Sequence, residues 1–267
     1  MEVGVLKEVK TRVNGAIVQG APDWYDTPLD QLDFHWSHDE KVEIERYCEK
    51  IHKNIAEEEM TPRERFYACV EGKPKDRQFI SIPHANTYLA RILSAGGDSV
   101  KPVDIIRNPK LFVKGHLAAL ARFTSDWPLY MITCYSGIGV YGGRVKLLEN
   151  AQPCTTEFPV KTLEDLEGLE DPDPYKDGMF PGYLWSCREM KRIFDKYGLS
   201  KVMVIYSSMC PGVESQVQEA LMGWNPFIMA LRKNQELAKG AVALGKKFSI
   251  KLAKAIIEVS QPEAMQC

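Results

Sequence analysis

Residues 60–83, MTPRERFYACVEGKPKDRQFISIP, decide the fold. Thr61 can cap a helix and Pro62 suits its first position. Glu64 stands three residues after the cap, which completes a capping box. Phe66, Cys69 and Val70 share one helical face and predict its buried side. Gly72 and Pro74 stop the helix. Phe79-Ile80-Ser81-Ile82 then predicts a short strand ended by Pro83. A capped helix leading into an apolar strand is how a strand-and-helix barrel begins.

Working outward, Ser37 and Glu40 form a second capping box, opening a helix to about Glu59. Its apolar stripe is Ile44, Tyr47, Cys48, Ile51 and Ile55, and the Glu57-Glu58-Glu59 run reads as its solvated end. Residues 1–36, with Pro22, Pro28, Trp24, Tyr25, Phe34 and Trp36, read as an arm. Asn108-Pro109 starts a helix that buries Phe112, Val113, Leu117 and Leu120. Leu129 to Tyr135 reads as a strand, and Val140 to Val145 as a hairpin with a Gly-Gly turn. The proline- and acid-rich stretch 150–180 reads as a surface loop around a short helix at 162–168. A helix over 181–197 ends at Gly198, and Val202 to Tyr206 predicts a strand buried on both faces. Helices at about 214–222 and 226–258 follow.

Strands alternating with helices, and apolar throughout, predict an α/β fold with a parallel sheet. The expected division is an N-terminal arm and helix over 1–59 and a barrel over 60–267. A full (β/α)₈ barrel takes about 250 residues. The expectation is therefore a TIM-type barrel that is incomplete at its C-terminal side.

Composition narrows the function. The chain has 267 residues and a net charge of −2, with no run of Lys or Arg, which argues against nucleic acid. No apolar stretch reaches the roughly 20 residues that span a bilayer, so no membrane partner is expected. The N-terminus lacks the apolar core of a signal peptide. Seven cysteines without a CxxC pair predict reduced thiols and a cytoplasmic location.

Barrels of this kind carry chemistry at the carboxyl ends of their strands. Three clusters qualify there: His84 with Asn86; Cys134, Tyr135 and Ser136; and Tyr206, Ser207, Ser208 and Cys210. His84 and Tyr206 are the candidates for catalysis, and Asn86, Cys134, Tyr135, Ser207, Ser208 and Cys210 for binding substrate. The alternative is loop side chains bonding their own backbone. Cys210 reads either as a thiol activated by a helix start or as a buried turn cysteine. His116 reads as a core histidine on an apolar helix face. Cys48 and His52, with His35 and His38 upstream, form a weak metal pattern, because Cys48 lies on the buried stripe.

Residues 60–83 resemble the opening helix and first strand of the uroporphyrinogen decarboxylase superfamily, in their Met-Thr, Arg-Glu-Arg and Gly-Lys-x-x-Asp-Arg elements. Residues 142–198, GGRVKLLENAQPCTTEFPVKTLEDLEGLEDPDPYKDGMFPGYLWSCREMKRIFDKYG, resemble its loop from Gln-Pro through Leu-Glu-Asp-Leu and Pro-Asp-Pro into a long helix. Cys210-Pro211-Gly212 is similar to its Gly-Pro-Phe turn. The resemblance covers about residues 60–250 and implies a (β/α)₈ barrel. It also implies one of two activities, porphyrinogen decarboxylation or methyl transfer between corrinoid proteins and thiols or methoxylated compounds.

The decarboxylases carry an arginine-rich loop after the first strand. Here that place reads PHANTYLARILSAGG, with Arg91 alone, so a substrate with many carboxylates would lack counter-charges. The resemblance thus implies a methyltransferase acting on a small methylated substrate or thiol, with the corrinoid carried by a partner protein. Zinc is implied too, but its ligands belong to the second half of such barrels and no residue here matches them. The decarboxylase is the alternative. A third reading is a truncated or split barrel, inactive alone, that forms a homodimer or pairs with a missing half.

Overall fold

Capping boxes set where the helices begin. A computed structural model describes residues 7–83, 86–95, 97, 99–123, 125–131, 139–208 and 212–266; for 81–83, 127–131, 206–208 and 266 it describes the backbone alone. The first elements are β1 (Glu8–Lys10), β2 (Ile17–Gln19), α1 (His38–Ile55), α2 (Pro62–Val70), β3 (Ser81–Pro83) and α3 (Asn86–Ser94). Next come α4 (Pro102–Arg107), α5 (Pro109–Arg122), β4 (Trp127–Met131), β5 (Arg144–Lys146), β6 (Cys154–Glu157), α6 (Leu163–Glu167) and α7 (Phe180–Lys196). The chain continues through β7 (Tyr206–Ser208), α8 (Val213–Ser215), α9 (Trp224–Lys233), α10 (Gln235–Ser260) and β8 (Ala264–Gln266). Ser37 with Glu40, Thr61 with Glu64, and Thr162 with Asp165 each form both bonds of a capping box.

These elements group into two units. One comprises Met1–Leu32, Ile132–Leu184 and Met209–Ala255; the other comprises Asp33–Met131, Trp185–Ser208 and Ile256–Cys267. The second holds a four-stranded, wholly parallel sheet in the order β3-β4-β7-β8. Each strand lies beside the next one of that sheet in chain order. Around it α1 packs on α5, and α3 on α4 and α5. Ile44, Cys48, Ile51 and Ile55 of α1 are buried, as are Phe112, Val113, Leu117 and Leu120 of α5.

The first unit carries a mixed sheet in the order β1-β2-β5-β6. The Gly-Gly pair does not turn a hairpin. Gly142 and Gly143, both at positive φ, lead into β5, which pairs in parallel with β2. The antiparallel partner of β5 is β6, which lies inside the stretch read as a surface loop. A Cβ at Gly143 would stand 2.1 Å from the Glu157 carbonyl oxygen, so glycine alone allows this close crossing.

Three other expectations are corrected. The run at 202–206 is not a strand: Met203, Val204 and Ile205 are buried, but pairing starts only at Tyr206. The Val202 carbonyl is instead taken by the Arg63 N–H at 2.9 Å. The long C-terminal helix breaks at Asn234, whose Oδ1 accepts the Leu237 N–H at 3.2 Å and restarts the helix as α10. Over 216–221 the chain forms a π-turn after α8. Lastly, the buried face of α2 is Pro62, Arg65 and Ala68, while Cys69 and Val70 are exposed. The buried side of this helix is charged, because three carboxylates wait for Arg65 there.

Candidate functional site

Because β3, β4, β7 and β8 all run the same way, their carboxyl ends share one edge of the sheet. Met131 pairs with Ser208, and Ser208 with Gln266, so the last residues of three strands stand in register. Tyr206, Ser207 and Ser208 do not follow the strand but form it as β7: Ser208 ends it at this edge, and Tyr206 begins it at the other. Asn86, buried, opens α3 three residues after Pro83. His84, Cys134, Tyr135, Ser136 and Cys210 lie outside the described residues. In open α/β sheets and barrels this is the edge where ligands bind.

The opposite edge is built from the Arg-Glu-Arg and Asp-Arg elements of the opening segment. The Arg65 guanidinium, with no solvent exposure, pairs with Asp126, and reaches Asp76 at 2.8 and 2.6 Å and Glu58 at 2.7 Å. Arg77 reaches Asp126 at 2.7 Å and Glu58 at 2.9 Å. Asp126, one residue before β4, also accepts the N–H of Ile80, one residue before β3, at 2.7 Å. At the other two strands, Arg63 forks onto Glu263 at 2.6 and 2.5 Å. Glu263 precedes β8 and meets the N–H of Ile205, which precedes β7, at 3.4 Å.

Helix α2 therefore ties down the amino ends of all four parallel strands. The hydrogen bonds from Arg65 above all hold the Asp76 carboxyl well below the usual carboxylate range, against the opposing effect of burial. For Glu263 burial pushes upward, and the bonds from Arg63 and Tyr67 outweigh it. This end of such a sheet serves stability rather than chemistry. The sequence reading missed the network because it assigned the buried face of α2 to apolar residues. The signal lay in arginines at 63, 65 and 77 flanking an acid at 76.

Other readings find their places. His116 is fully buried, its ring against Phe112 at 4.5 Å. Cys48 is buried, which pushes its thiol up to about 12. His52 is engaged at 2.8 Å with the Tyr197 carbonyl. Glu58 is not a solvated helix end: α1 stops at Ile55, and Glu58 turns onto Arg65 and Arg77. Among the described residues no group of three or more His, Cys, Asp or Glu side chains is placed to hold a metal ion. Among them, too, no helix is long and apolar enough to cross a membrane.

A mixed α/β protein with a sequential parallel sheet, its base pinned by ion pairs, is the class these features define. Among solved structures the chain is similar to a methyltransferase from Methanosarcina mazei, with a TM-score of 0.62 and 19% identity. The likeness covers 78% of this chain and 58% of that one, so this chain spans well under two thirds of that protein. It shows the fold. No family model matches the chain, and no curated protein matches it either.

Proposed function

We propose that this chain is a methyltransferase with a barrel of the uroporphyrinogen decarboxylase type, nearer the corrinoid-dependent branch than the decarboxylase. One observation carries the reading: β3, β4, β7 and β8 are parallel and adjacent in chain order, as consecutive barrel strands are. The likeness to the Methanosarcina mazei methyltransferase supports methyl transfer as the chemistry. Residues 83–97, from the end of β3 onward, hold one arginine, Arg91, which weighs against a substrate rich in carboxylates.

In this reading a small methylated substrate or thiol sits at the carboxyl edge of the sheet. His84 moves a proton to or from its heteroatom. Asn86, Cys134, Tyr135, Tyr206, Ser207, Ser208 and Cys210 line the site. A corrinoid carried by a partner protein supplies the cobalt that takes up or gives the methyl group. The described residues offer no metal-ligand set, so no step here runs through zinc.

The test is an anaerobic assay with free cob(I)alamin and a panel of methylated thiols and methoxylated compounds, reading methylcobalamin formation. The expected result is transfer from at least one donor, reduced about 100-fold or more in His84→Ala. Absence of transfer from every donor, or an unaffected His84→Ala, removes the reading. Coproporphyrinogen formed from uroporphyrinogen would establish the decarboxylase instead.

A second reading, a partial barrel that is inactive alone, draws on the edges of the sheet. Among the described residues β3 and β8 are each paired on one side only. Such a chain completes its sheet with a second copy or a separate half. Native mass spectrometry decides it: a discrete dimer or complex supports it, and a stable active monomer rules it out.

A further inference from the structure

The first unit holds a cleft of about 630 Å³, walled by β6 with the residues after it and by α9 with the start of α10. That volume falls within the roughly 300–1,000 Å³ of small-molecule sites. A two-turn helix, about 10 Å wide and 11 Å long, exceeds it. Val160, Met222 and Leu237 make an apolar floor, each at most 5% exposed. Phe158 forms a wall. Its ring lies on Gly223, at φ +84°, where a Cβ would come 2.9 Å from the ring.

The rim carries two lysines, Lys161 and Lys233, and one acid, Glu157. Lys161 and Lys233 are both exposed and, among the described residues, neither makes an ion pair. The acids nearby have partners of their own, and backbone bonds, helped by the Lys161 charge, hold the Asp165 carboxyl low. Glu157 is 3.6 Å from Arg144. Asp165 accepts the N–H groups of Lys161 and Thr162 at 2.9 and 2.8 Å. A buried apolar floor under a rim where two exposed ammonium groups outnumber one carboxylate is complementary to one kind of small molecule.

We propose that this cleft binds a single-chain amphiphilic anion of the medium-chain carboxylate type. The apolar chain lies on Val160, Met222 and Leu237, and the head group is met by Lys161 and Lys233. A neutral or cationic amphiphile fills the floor equally well but leaves both ammonium groups unanswered. The inference does not depend on the methyltransferase reading.

Calorimetric titration of the whole chain with decanoate and decyltrimethylammonium below their micelle concentrations, and with decanol below its solubility limit, tests it. Decanoate should bind at least about tenfold more tightly than either of the others, and octanoate more weakly than decanoate. Combining Lys161→Glu with Lys233→Glu, both at exposed positions, should lower decanoate affinity to that of decanol, with an unchanged circular dichroism spectrum. Equal binding of decanol, a double variant that still takes decanoate, or no decanoate binding at all overturns the proposal.

Discussion

Asp126 and Glu263 are counterparts. Each stands one residue ahead of a parallel strand, receives an arginine from α2, and meets the N–H of the residue preceding the neighbouring strand. For Asp126 the arginine is Arg65, and neither side chain has any solvent exposure.

Removing one member of that pair leaves a buried charge without its partner, which costs about 3–5 kcal/mol. Arg65→Met and Asp126→Asn should each lower unfolding free energy in urea by that order. Arg65→Lys should recover little, because an ammonium cannot reproduce the fork that reaches Asp76 and Asp126 together. A loss below about 1 kcal/mol in either single variant would contradict the buried network.

Acid should loosen the base of the sheet. The Asp76 carboxyl is depressed in the folded chain by its bonds from Arg65, so the unfolded chain binds the proton more tightly. Its contribution is present above the ordinary aspartate value of about 3.9 and is lost as pH falls through and below it. Urea midpoints measured from pH 6 to pH 2 should therefore drop toward the acid end. The drop should be shallower in Asp76→Asn, and an identical pH profile in that variant would exclude the linkage.

Gly143 should tolerate no side chain. Its φ is +78°, and a Cβ would press on the Glu157 carbonyl. Gly143→Ala should cost at least about 1–3 kcal/mol from backbone conformation alone. The clash adds to this and should disturb the β5–β6 pairing. Denaturation with near-ultraviolet dichroism would show it; a variant as stable as the parent would mean that the crossing can relax.

Gln216 offers the opposite case. It is 1% exposed at the start of the π-turn, and among the described residues neither of its amide atoms has a hydrogen-bond partner. Burying such groups unmet costs about 1–3 kcal/mol. Gln216→Leu, of similar size, should therefore gain stability, read as a higher urea midpoint at unchanged slope. A loss would show that the amide is satisfied by bound water.

What the sequence revealed depended on how local each cause was. The starts of α1, α2 and α5 were legible because Ser37, Thr61 and Asn108 cap within three residues. The burial of Met203, Val204 and Ile205 was legible too, but burial alone does not make a strand. Pairing depends on β4 and β8, whose partners in the register lie 77 residues before and 58 after those of β7. Arg65 was hidden by its type, since arginine is buried only when carboxylates distant in sequence converge on it. Tyr206, Ser207 and Ser208 were read as lying past a strand, but the strand begins at Tyr206, because pairing with Ala264 and not the apolar run sets its start.

The pinned base also sets how the protein responds to salt and heat. Surface pairs such as Lys7 with Asp23 fade as ionic strength rises, whereas Arg65 and Asp126, shut away from the ions, are barely screened. Heating lowers the penalty for drying charged groups. Warm brine, which strips the chain of its outer ion pairs, should therefore leave the roots of β3 and β4 as the last part of the sheet to let go.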